Sequence, residues 1–413
     1  MRLVFIALVS LPLMAQNNNW FNEAQLKDPA TQRALEGLDS KALVDEWIRV
    51  TEIPAPSGKE QLRGEYVRNE LQKLGLSDIR TDKLLNVSGV RKGTGGGPSI
   101  VFAAHLDTVF PEGTNLKVRR DGDRLLAPGI MDDTGSLVAL IEAFRALNRA
   151  KAETKGDLIF LASTQEELGQ LGAKSWLETS GYHPDLFVAL DVKSTQLWYG
   201  AFYGTHFKFF YTSPAKHTLH SRGEPSSVRA AAKAISALYD IPLPPVAKGY
   251  DLIIPALNVG TFGGGTVRNA VAPESWFTVD VRSTESVSQD QLETSIVSIT
   301  RRVSEQEKVG FRMERFAYDL SKARPAQERL EHPLVQTSLA VSNYFRKSGT
   351  PVIVPQDAGS TDAKPAMAMG IPQVSIGVTI GGNQHQLEEY AEASSIVPGV
   401  KSLVVLALTL ANH

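Results

Sequence analysis

Two kinds of hydrophobic pattern divide the chain. Between Leu26 and about Leu74, apolar residues recur at helical spacing in two amphipathic stretches, with turn-forming residues from Pro54 to Gly58 between them. Beyond them come four short, unbroken apolar runs, at 99–104, 158–163, 186–190 and 373–378. Runs of this length without polar alternation are typical of strands that are buried on both faces of a helix-covered sheet. The pattern predicts an α/β fold with a mostly parallel sheet and helices on both faces.

The residues from 134 to 150 predict a long helix after the first apolar run. Thr134 is a residue type that caps helices, and we expect it to cap this one. Leu137, Ile141, Phe144 and Leu147 fall on one face of such a helix. A buried strand followed by an amphipathic helix is the unit from which an α/β core is built.

The pattern changes again between residues 201 and 318. Two segments, HFKFFYTS and ESWFTVDVRS, alternate as half-buried antiparallel strands do, and two helical stretches lie at 225–240 and 289–307. The first type of strand pattern resumes near Pro372. We therefore predict an inserted α+β domain at 201–318, which interrupts a catalytic domain formed by residues 16–200 and 319–413.

The first residues have the features of a signal peptide. Arg2 precedes an apolar run from Leu3 to Ala15, and a polar stretch rich in Gln and Asn follows at once. The alternative is a buried N-terminal strand or helix. We predict removal of residues 1–15 and export to the periplasm or out of the cell. With no second apolar stretch of membrane length recognised in the pattern, we expect no membrane association after removal.

Composition and charge limit the chemistry. The 413 residues include no cysteine, so thiolate catalysis and thiolate metal sites are excluded and any metal must be bound by His and carboxylate groups. The formal net charge of −2 supplies no basic surface of the kind that nucleic acids require. We therefore expect no nucleic-acid partner.

A potential metal ligand follows each of the four apolar runs, and a fifth precedes the predicted helix. They are His105, Asp132, Glu167, Asp191 and His385. In open α/β sheets the functional site forms at the carboxyl ends of the strands, so these side chains are expected to meet there. Each of them alone has an ordinary structural explanation, such as a capped turn or a solvated helix start. Their joint placement instead indicates a site for two metal ions, which needs about five such groups.

The sequence resembles a known family, the co-catalytic zinc exopeptidases and deacylases that include peptidase T, glutamate carboxypeptidase, aminoacylase and acetylornithine deacetylase. The resemblance covers most of the chain after the predicted signal peptide. It rests on an ordered series of motifs: AHLDTVFP, GIMDDTGSL, TQEELGQLGAKSW, VALDV, HTLHSRGEPS, GGTVRNAVAPESWFTVDVRS, DAGSTDAKPAMAMGIPQVSIG and NQHQLEEY. The same resemblance implies that the inserted domain is a lid or dimerisation domain.

The resemblance also implies roles for the candidate ligands. Asp132 would bridge two divalent ions, of which Zn²⁺ is expected and Co²⁺ or Mn²⁺ are alternatives. One ion would take His105 and Asp191, and the other would take Glu167 and His385. Two further carboxylates have implied roles: Asp107 would orient a ligand imidazole, and Glu166 would be the general base.

Further implied residues lie mostly in the inserted domain. His217 would stabilise the oxyanion, acting across the interface of a homodimer. Asn269, Arg282 and Gly359 would contact the substrate, with Arg282 suited to a carboxylate; an ordinary ion pair on an exposed strand is the alternative for Arg282. His206, like two other histidines, is interpreted as structural or surface.

Three functions are compatible with these residues. The leading hypothesis is a metallo-exopeptidase that releases residues from short peptides. The second is an amidohydrolase that removes an acyl group from an N-acyl amino acid. The third, a non-catalytic binding protein on the same fold, is disfavoured by Glu166, since a binding protein has no use for a base beside a complete set of ligands.

Overall fold

The computed structural model describes residues 18–245, 255–283 and 285–413, so the predicted signal peptide lies outside the described residues. The helices of the described part are α1 (Pro29–Glu36), α2 (Ser40–Thr51), α3 (Gln61–Lys73), α4 (Thr134–Arg149), α5 (Leu171–Thr179), α6 (Ser227–Tyr239), α7 (Ser286–Glu307), α8 (Ala326–Glu331), α9 (Pro333–Phe345), α10 (Ala363–Ala368) and α11 (Ile396–Ala411). Its strands are β1 (Ser77–Thr81), β2 (Val87–Arg91), β3 (Ile100–His105), β4 (Arg119–Asp121), β5 (Arg124–Leu126), β6 (Leu158–Ser163), β7 (Leu186–Ala189), β8 (Leu197–Trp198), β9 (Tyr203–Thr212), β10 (Ala256–Gly264), β11 (Glu274–Ser283), β12 (Gly310–Ala317), β13 (Pro355–Gln356), β14 (Gln373–Ile376), β15 (Gly381–Gly382) and β16 (Tyr390–Glu392).

An eight-stranded sheet forms the larger part of the fold, in the order β1-β2-β6-β3-β7-β14-β8-β13. Its central strands β6, β3, β7 and β14 are parallel to their neighbours within this group, and they are the four predicted apolar runs. One face packs on helices that include α4 and α11, and the other on α5 and α10. The predicted α/β class, with helices on both faces of a mainly parallel sheet, is confirmed.

The segment Ala393–Ala411, which contains α11, belongs to the core of this layer. Among the described residues it is the one helical segment long and apolar enough to cross a membrane, and 72% of its most apolar window is buried inside the protein. There α11 packs against α4 and α9. The expectation that no second apolar stretch of such length exists is therefore corrected. The burial accounts for the apolar composition as that of a core helix.

A second, four-stranded sheet is formed by residues of the predicted inserted domain, in the order β10-β11-β9-β12, with every pair antiparallel. Helices α6 and α7 cover one face, where Phe209 and Phe277 are fully buried with Ile296. The chain order strand-helix-strand-strand-helix-strand is that of a common α+β unit. Strand β10 lies at one edge of this sheet, and most of its residues are exposed.

The start of α4 differs from the prediction. Asp133 occupies the N-cap position and Thr134 is the first helical residue. The Thr134 hydroxyl donates to the carbonyl of Gly129 at 2.7 Å, within the loop that precedes the helix. The hydroxyl therefore fastens the loop and does not cap the helix.

Candidate metal centre

The carboxyl edge of the large sheet brings the five predicted ligands together. His105 ends β3, Glu167 and Asp191 follow β6 and β7, Asp132 precedes α4, and His385 lies in the loop between β15 and β16. Two trios share Asp132: one contains His105 and Asp191, and the other contains Glu167 and His385. Within each trio, one potential ligand atom per residue lies within 4.8 Å of the others.

The contacts inside these trios are those of groups that point at a common centre. His105 Nε2 lies 2.9 Å from Asp132 Oδ1. His385 Nε2 lies 3.3 Å from Asp132 Oδ2 and 3.1 Å from Glu167 Oε1. Imidazole nitrogen and carboxylate oxygen are ligands that Zn²⁺ accepts, and two trios that share one carboxylate have the composition of a two-ion site. The residues therefore fit a pair of divalent cations.

The electrostatics of the cluster favour a cation as well. Burial raises the pKa of Asp191 well above its ordinary value, and repulsion from Glu166 adds to the rise. Burial lowers the pKa of His105, but hydrogen bonds to Asp107 and other carboxylates outweigh it and raise that pKa well above the ordinary value. Contacts with carboxylates also raise the pKa of His385 to about 10. Negative charge crowded into a buried site is costly unless cations offset it.

Asp107 fixes the turn that carries the candidate base. Its side chain is fully buried, and its two oxygens accept hydrogen bonds from the backbone N–H groups of Glu166 at 3.0 Å and Glu167 at 3.2 Å. Ser57 donates its hydroxyl to the same carboxylate at 2.6 Å, and His105 Nδ1 lies 3.5 Å from it. Asp107 thus links a candidate ligand imidazole to the turn on which Glu166 and Glu167 lie.

Glu389 supports the loop of Asp132 and was not identified from the sequence. Its carboxylate is fully buried and accepts three backbone N–H groups, from Gly129 at 3.0 Å and from Met131 and Asp132 at 2.9 Å each. The pKa of Glu389 is raised to about 7, by burial first and by the charge of Asp132 second. The sequence signal was weak because Glu389 is one of two adjacent acidic residues in a polar loop.

Glu166 lies beside the ligand cluster and is held by a neighbouring amide. Gln170 Nε2 donates to Glu166 Oε1 at 2.8 Å. Burial raises the pKa of Glu166 well above its ordinary value against the opposing charge of His105, and repulsion from Asp362 and Glu167 adds to the rise. A carboxyl group with a raised pKa is suited to exchange protons near neutral pH.

A cavity of about 420 Å³ extends from this cluster to the inserted domain. Its wall includes Glu166, Glu167 and His385 from the catalytic side, with Phe202, His206, Arg282, Tyr318 and Lys364 at the other end. The volume is typical of a site for a small molecule. Arg282, predicted to bind substrate, is thus placed in the wall. Its Nε also donates to Asp280 at 2.8 Å, so the ion pair considered from the sequence is present too.

The remaining predicted residues lie outside the wall of this cavity. His217 and Asn269 are exposed neighbours in the inserted domain, joined by a hydrogen bond from the Thr218 N–H to the Asn269 carbonyl at 2.9 Å. Gly359 has a φ of +124°, and its carbonyl accepts the N–H of Phe202 at 3.1 Å. A Cβ on Gly359 would lie 2.7 Å from the Trp198 ring, so close packing explains this glycine.

Two cavity residues were not predicted as functional. Lys364 lies in α10, a helix that is otherwise apolar, so nothing in its local sequence distinguishes it from a surface lysine. His206 was interpreted as structural or surface, yet it lies in the cavity wall beside Arg282. The alternating pattern of β9 could have shown on which face of the strand His206 lies, but not that this face meets the catalytic domain.

Comparisons with known proteins agree with this architecture. A model of the family described as peptidase family M20/M25/M40 matches residues 101–409. The uncharacterized protein YqjE of Bacillus subtilis is 25% identical over 378 residues, which span 83% of this chain and 91% of that protein. Carboxypeptidase G2 of a Pseudomonas species is 23% identical over 354 residues, 81% of this chain and 80% of that protein. The crystal structure of aminopeptidase PepT from Bacillus cereus has the same fold, with a TM-score of 0.67, 20% identity, and coverage of 91% of this chain and 100% of that one.

Proposed function

The chain belongs to peptidase family M20/M25/M40 and is a metallopeptidase-type hydrolase of peptide or amide bonds, and from this premise we propose that it is an exported exopeptidase that cleaves short peptides with two divalent ions. The resemblance stated from the sequence motifs is thereby confirmed at the level of the family. The number of ions, the exopeptidase specificity, the homodimer and the export remain our proposals.

The observation that carries the proposal is the sharing of Asp132 by two trios of potential ligands, while Glu166 forms a third group with His105 and Glu167. His105 and Asp191 would hold one ion with Asp132, and Glu167 and His385 would hold the other. When bound, two such ions polarise the scissile carbonyl and lower the pKa of a water molecule. Zn²⁺ suits these nitrogen and oxygen ligands, and Co²⁺ or Mn²⁺ would be accepted by the same set.

Within this site, Glu166 would take the proton of the attacking water and deliver it to the leaving amine. The hydrogen bond from the Gln170 amide to its carboxylate, and the hydrogen bond from its backbone N–H to Asp107, keep Glu166 in position. A carboxylate held in one position is suited to this proton transfer. The presence of Glu166 also argues against a binding protein without turnover.

The substrate would occupy the cavity between the two domains, whose volume of about 420 Å³ suits a short peptide and excludes a folded protein. Arg282 would contact the substrate from the inserted domain, and the segment of Gly359, whose neighbour Ser360 lies in the wall, would contact it from the catalytic domain. His217 and Asn269 would reach the site of a second subunit in a homodimer. The same cavity would accept an N-acyl amino acid, so removal of an acyl group is the second candidate activity.

Export is proposed from the sequence of residues 1–15, in which one basic residue precedes an apolar run that ends in Ala15. Mass spectrometry of the mature protein, recovered from the periplasm or the medium, tests this proposal. An N-terminus at Gln16 or nearby is expected. An intact Met1 in a cytoplasmic fraction would contradict export.

We expect Glu166→Gln to retain both metal ions and to lose activity by roughly 10²-fold or more, because proton transfer is removed while the ligand set stays complete. Metal content by elemental analysis and kcat on the best substrate are the two measurements. The substrate is found by testing the metal-loaded protein on dipeptides, tripeptides, peptides blocked at either end and N-acyl amino acids.

Glu178→Gln is a matched control, because it removes a carboxylate from α5 that is paired with Lys174 on the surface. Its metal content and kcat should equal those of the wild type. Wild-type kcat in Glu166→Gln would exclude the proposed role of Glu166. If the metal-loaded wild type hydrolyses no member of the panel, the proposed function itself is rejected.

A further inference from the structure

The wall of the cavity between the domains carries both acidic and basic side chains. The carboxylates in its described wall are Glu166 and Glu167, and both belong to the metal-binding end. A second group in the wall consists of His206, Arg282 and Lys364, and the charge of Glu166 reaches Lys364. An ammonium group of a substrate would meet cations there, whereas a carboxylate would meet groups of opposite charge.

Lys364 is the most unusual of these residues because it is buried. Its side chain and backbone together are 6% exposed. Nζ lies 5.1 Å from the centroid of the Phe202 ring and 5.4 Å from that of Tyr318. Within the described part of the chain, no hydrogen bond or ion pair to a protein group is formed by Nζ. Rings offset only part of the cost of burying an ammonium, so Lys364 lacks an anion in direct contact with it.

Arg282, the neighbouring cation, is already compensated. Its Nε donates to Asp280 Oδ2 at 2.8 Å, and its Cζ lies 5.0 Å from the centroid of the Phe202 ring. His206 also faces Asp280, at 4.0 Å from Oδ1. The charge of Asp280 also reaches Lys364, but this one carboxylate faces two cations, Arg282 and Lys364, so positive charge remains in excess around it.

The protonation of Lys364 agrees with this excess. Burial first and the charge of Arg282 second lower its pKa to about 8, against the charges of Asp280 and Glu166, which raise it. The ammonium form therefore persists at neutral pH but is poorly stabilised by the protein. An anion that entered the cavity would gain an electrostatic interaction with a buried ammonium, which is stronger than the same interaction in water.

We propose that Lys364 binds the free carboxylate of the substrate and so sets the polarity of cleavage. The bond that reaches the metal-binding end would then be the amide next to a C-terminal carboxylate, as in a carboxypeptidase reaction or in hydrolysis of an N-acyl amino acid. A free amino group would not be required. This inference rests on the proposed function and names its substrate class.

The test uses three forms of the best substrate, with both termini free, with the amino end acetylated, and with the carboxyl end amidated. For the wild type, acetylation should change kcat/KM little, and amidation should lower it by roughly 30-fold or more, because a buried charge pair is lost. Lys364→Met should lower kcat/KM for the free-acid forms by a similar factor and leave the amidated form little changed. The preference for a carboxylate would then disappear.

Two further variants keep this test decisive. Lys364→Arg retains the charge and should retain most of the preference, even if the methionine variant folds poorly. Lys92→Met removes an exposed lysine that is paired with Asp157 and should leave all three substrates unaffected. An equal loss for free-acid and amidated substrates in Lys364→Met would overturn the proposal, as would a wild type that requires a free amino end. A wild type that cleaves none of the substrates would instead reject the proposed function before Lys364 is tested.

Discussion

Asp107 shows how one side chain can control several others. Asp107→Asn is expected to lower activity or metal affinity by roughly 10- to 100-fold, the usual effect of losing a carboxylate that orients metal ligands. The carboxamide keeps one oxygen, so it can accept from the N–H of Glu166 or of Glu167, and its NH₂ group then faces the other N–H. Measurement of kcat and of the metal dissociation constant checks this.

Ser57→Ala is the matched control for Asp107. It removes one hydroxyl donor, at 2.6 Å, and leaves both backbone N–H groups bound to the carboxylate. Its effect should therefore be smaller than that of Asp107→Asn. Equal kinetics and equal metal affinity for Asp107→Asn and the wild type would show that the turn keeps its geometry without this carboxylate.

At the residue scale, the sequence was informative where chemistry coincides with a strong local pattern. His105 and Glu167 lie just after apolar runs, so the rule that sites form at the carboxyl ends of strands, together with the joint placement of five such residues, selected them. Lys364 and Glu389 could not be selected, because their environments are made by distant parts of the chain. Lys364 is buried by contacts with Phe202 and Tyr318, and Glu389 by the backbone of the loop before α4.

At the scale of elements, Arg145 joins three helices. From α4 it contacts Glu46 of α2 at 3.0 Å, Glu70 of α3 at 3.0 Å, and Glu142 of its own helix. The three carboxylate side chains are 8%, 11% and 6% exposed, while that of Arg145 is 30% exposed. Arg145→Met should lower the free energy of unfolding by about 2 to 3 kcal/mol, less than for a fully buried pair because water screens the arginine. Chemical denaturation measures it.

The pH dependence gives this prediction a sign. Burial raises the pKa of Glu46, but hydrogen bonds from Arg145 and Tyr66 outweigh burial and lower it below the ordinary value. Such a group stabilises the fold above its ordinary pKa, and this contribution is lost as the pH falls through the lowered pKa. The difference between Arg145→Met and the wild type should therefore be largest near neutral pH and shrink below about pH 4. A difference that does not depend on pH would contradict the electrostatic explanation.

Lys41→Met provides the comparison on a surface pair. Lys41 and Asp45 form an exposed i,i+4 pair on α2, with side chains 86% and 56% exposed. Pairs of this kind contribute little, because water and salt screen them. The variant should unfold at the wild-type denaturant concentration. A loss of unfolding free energy as large as that of Arg145→Met would indicate that removal of any cation near α2 is destabilising, whatever its burial.

The elements that the sequence predicted are those whose burial leaves a clear pattern. Strands β3 and β6 are buried at every position, so they appear as unbroken apolar runs. Strands β1 and β4 are mostly or wholly exposed, and their residues do not differ from those of a loop. Helix α11 was missed for the opposite reason, since it is apolar around most of its circumference and shows no amphipathic stripe.

At the scale of the whole molecule, the inserted domain exposes apolar side chains and the edge of a sheet. Leu219, two residues after His217, is 82% exposed, and Phe262 is 78% exposed. Phe262 lies on β10, the edge strand of the four-stranded sheet. An exposed edge with apolar neighbours is a ready surface for pairing with a second chain. These features support the proposed homodimer, and they would bring His217 to the other subunit.

A mixing experiment decides whether the site is shared between subunits. Glu166→Gln and His217→Ala should each be inactive alone, because one lacks the proton acceptor and the other lacks the oxyanion donor. If His217 acts across the interface, a mixed dimer has one site with both defects and one site with none. Random exchange at equal amounts makes half of the dimers mixed, so about one quarter of wild-type activity should return. If His217 acts within its own subunit, each site of a mixed dimer keeps one defect. Native mass spectrometry measures how many mixed dimers form. Mixed dimers without recovery of activity would refute the shared site, and a monomeric mass would refute the dimer.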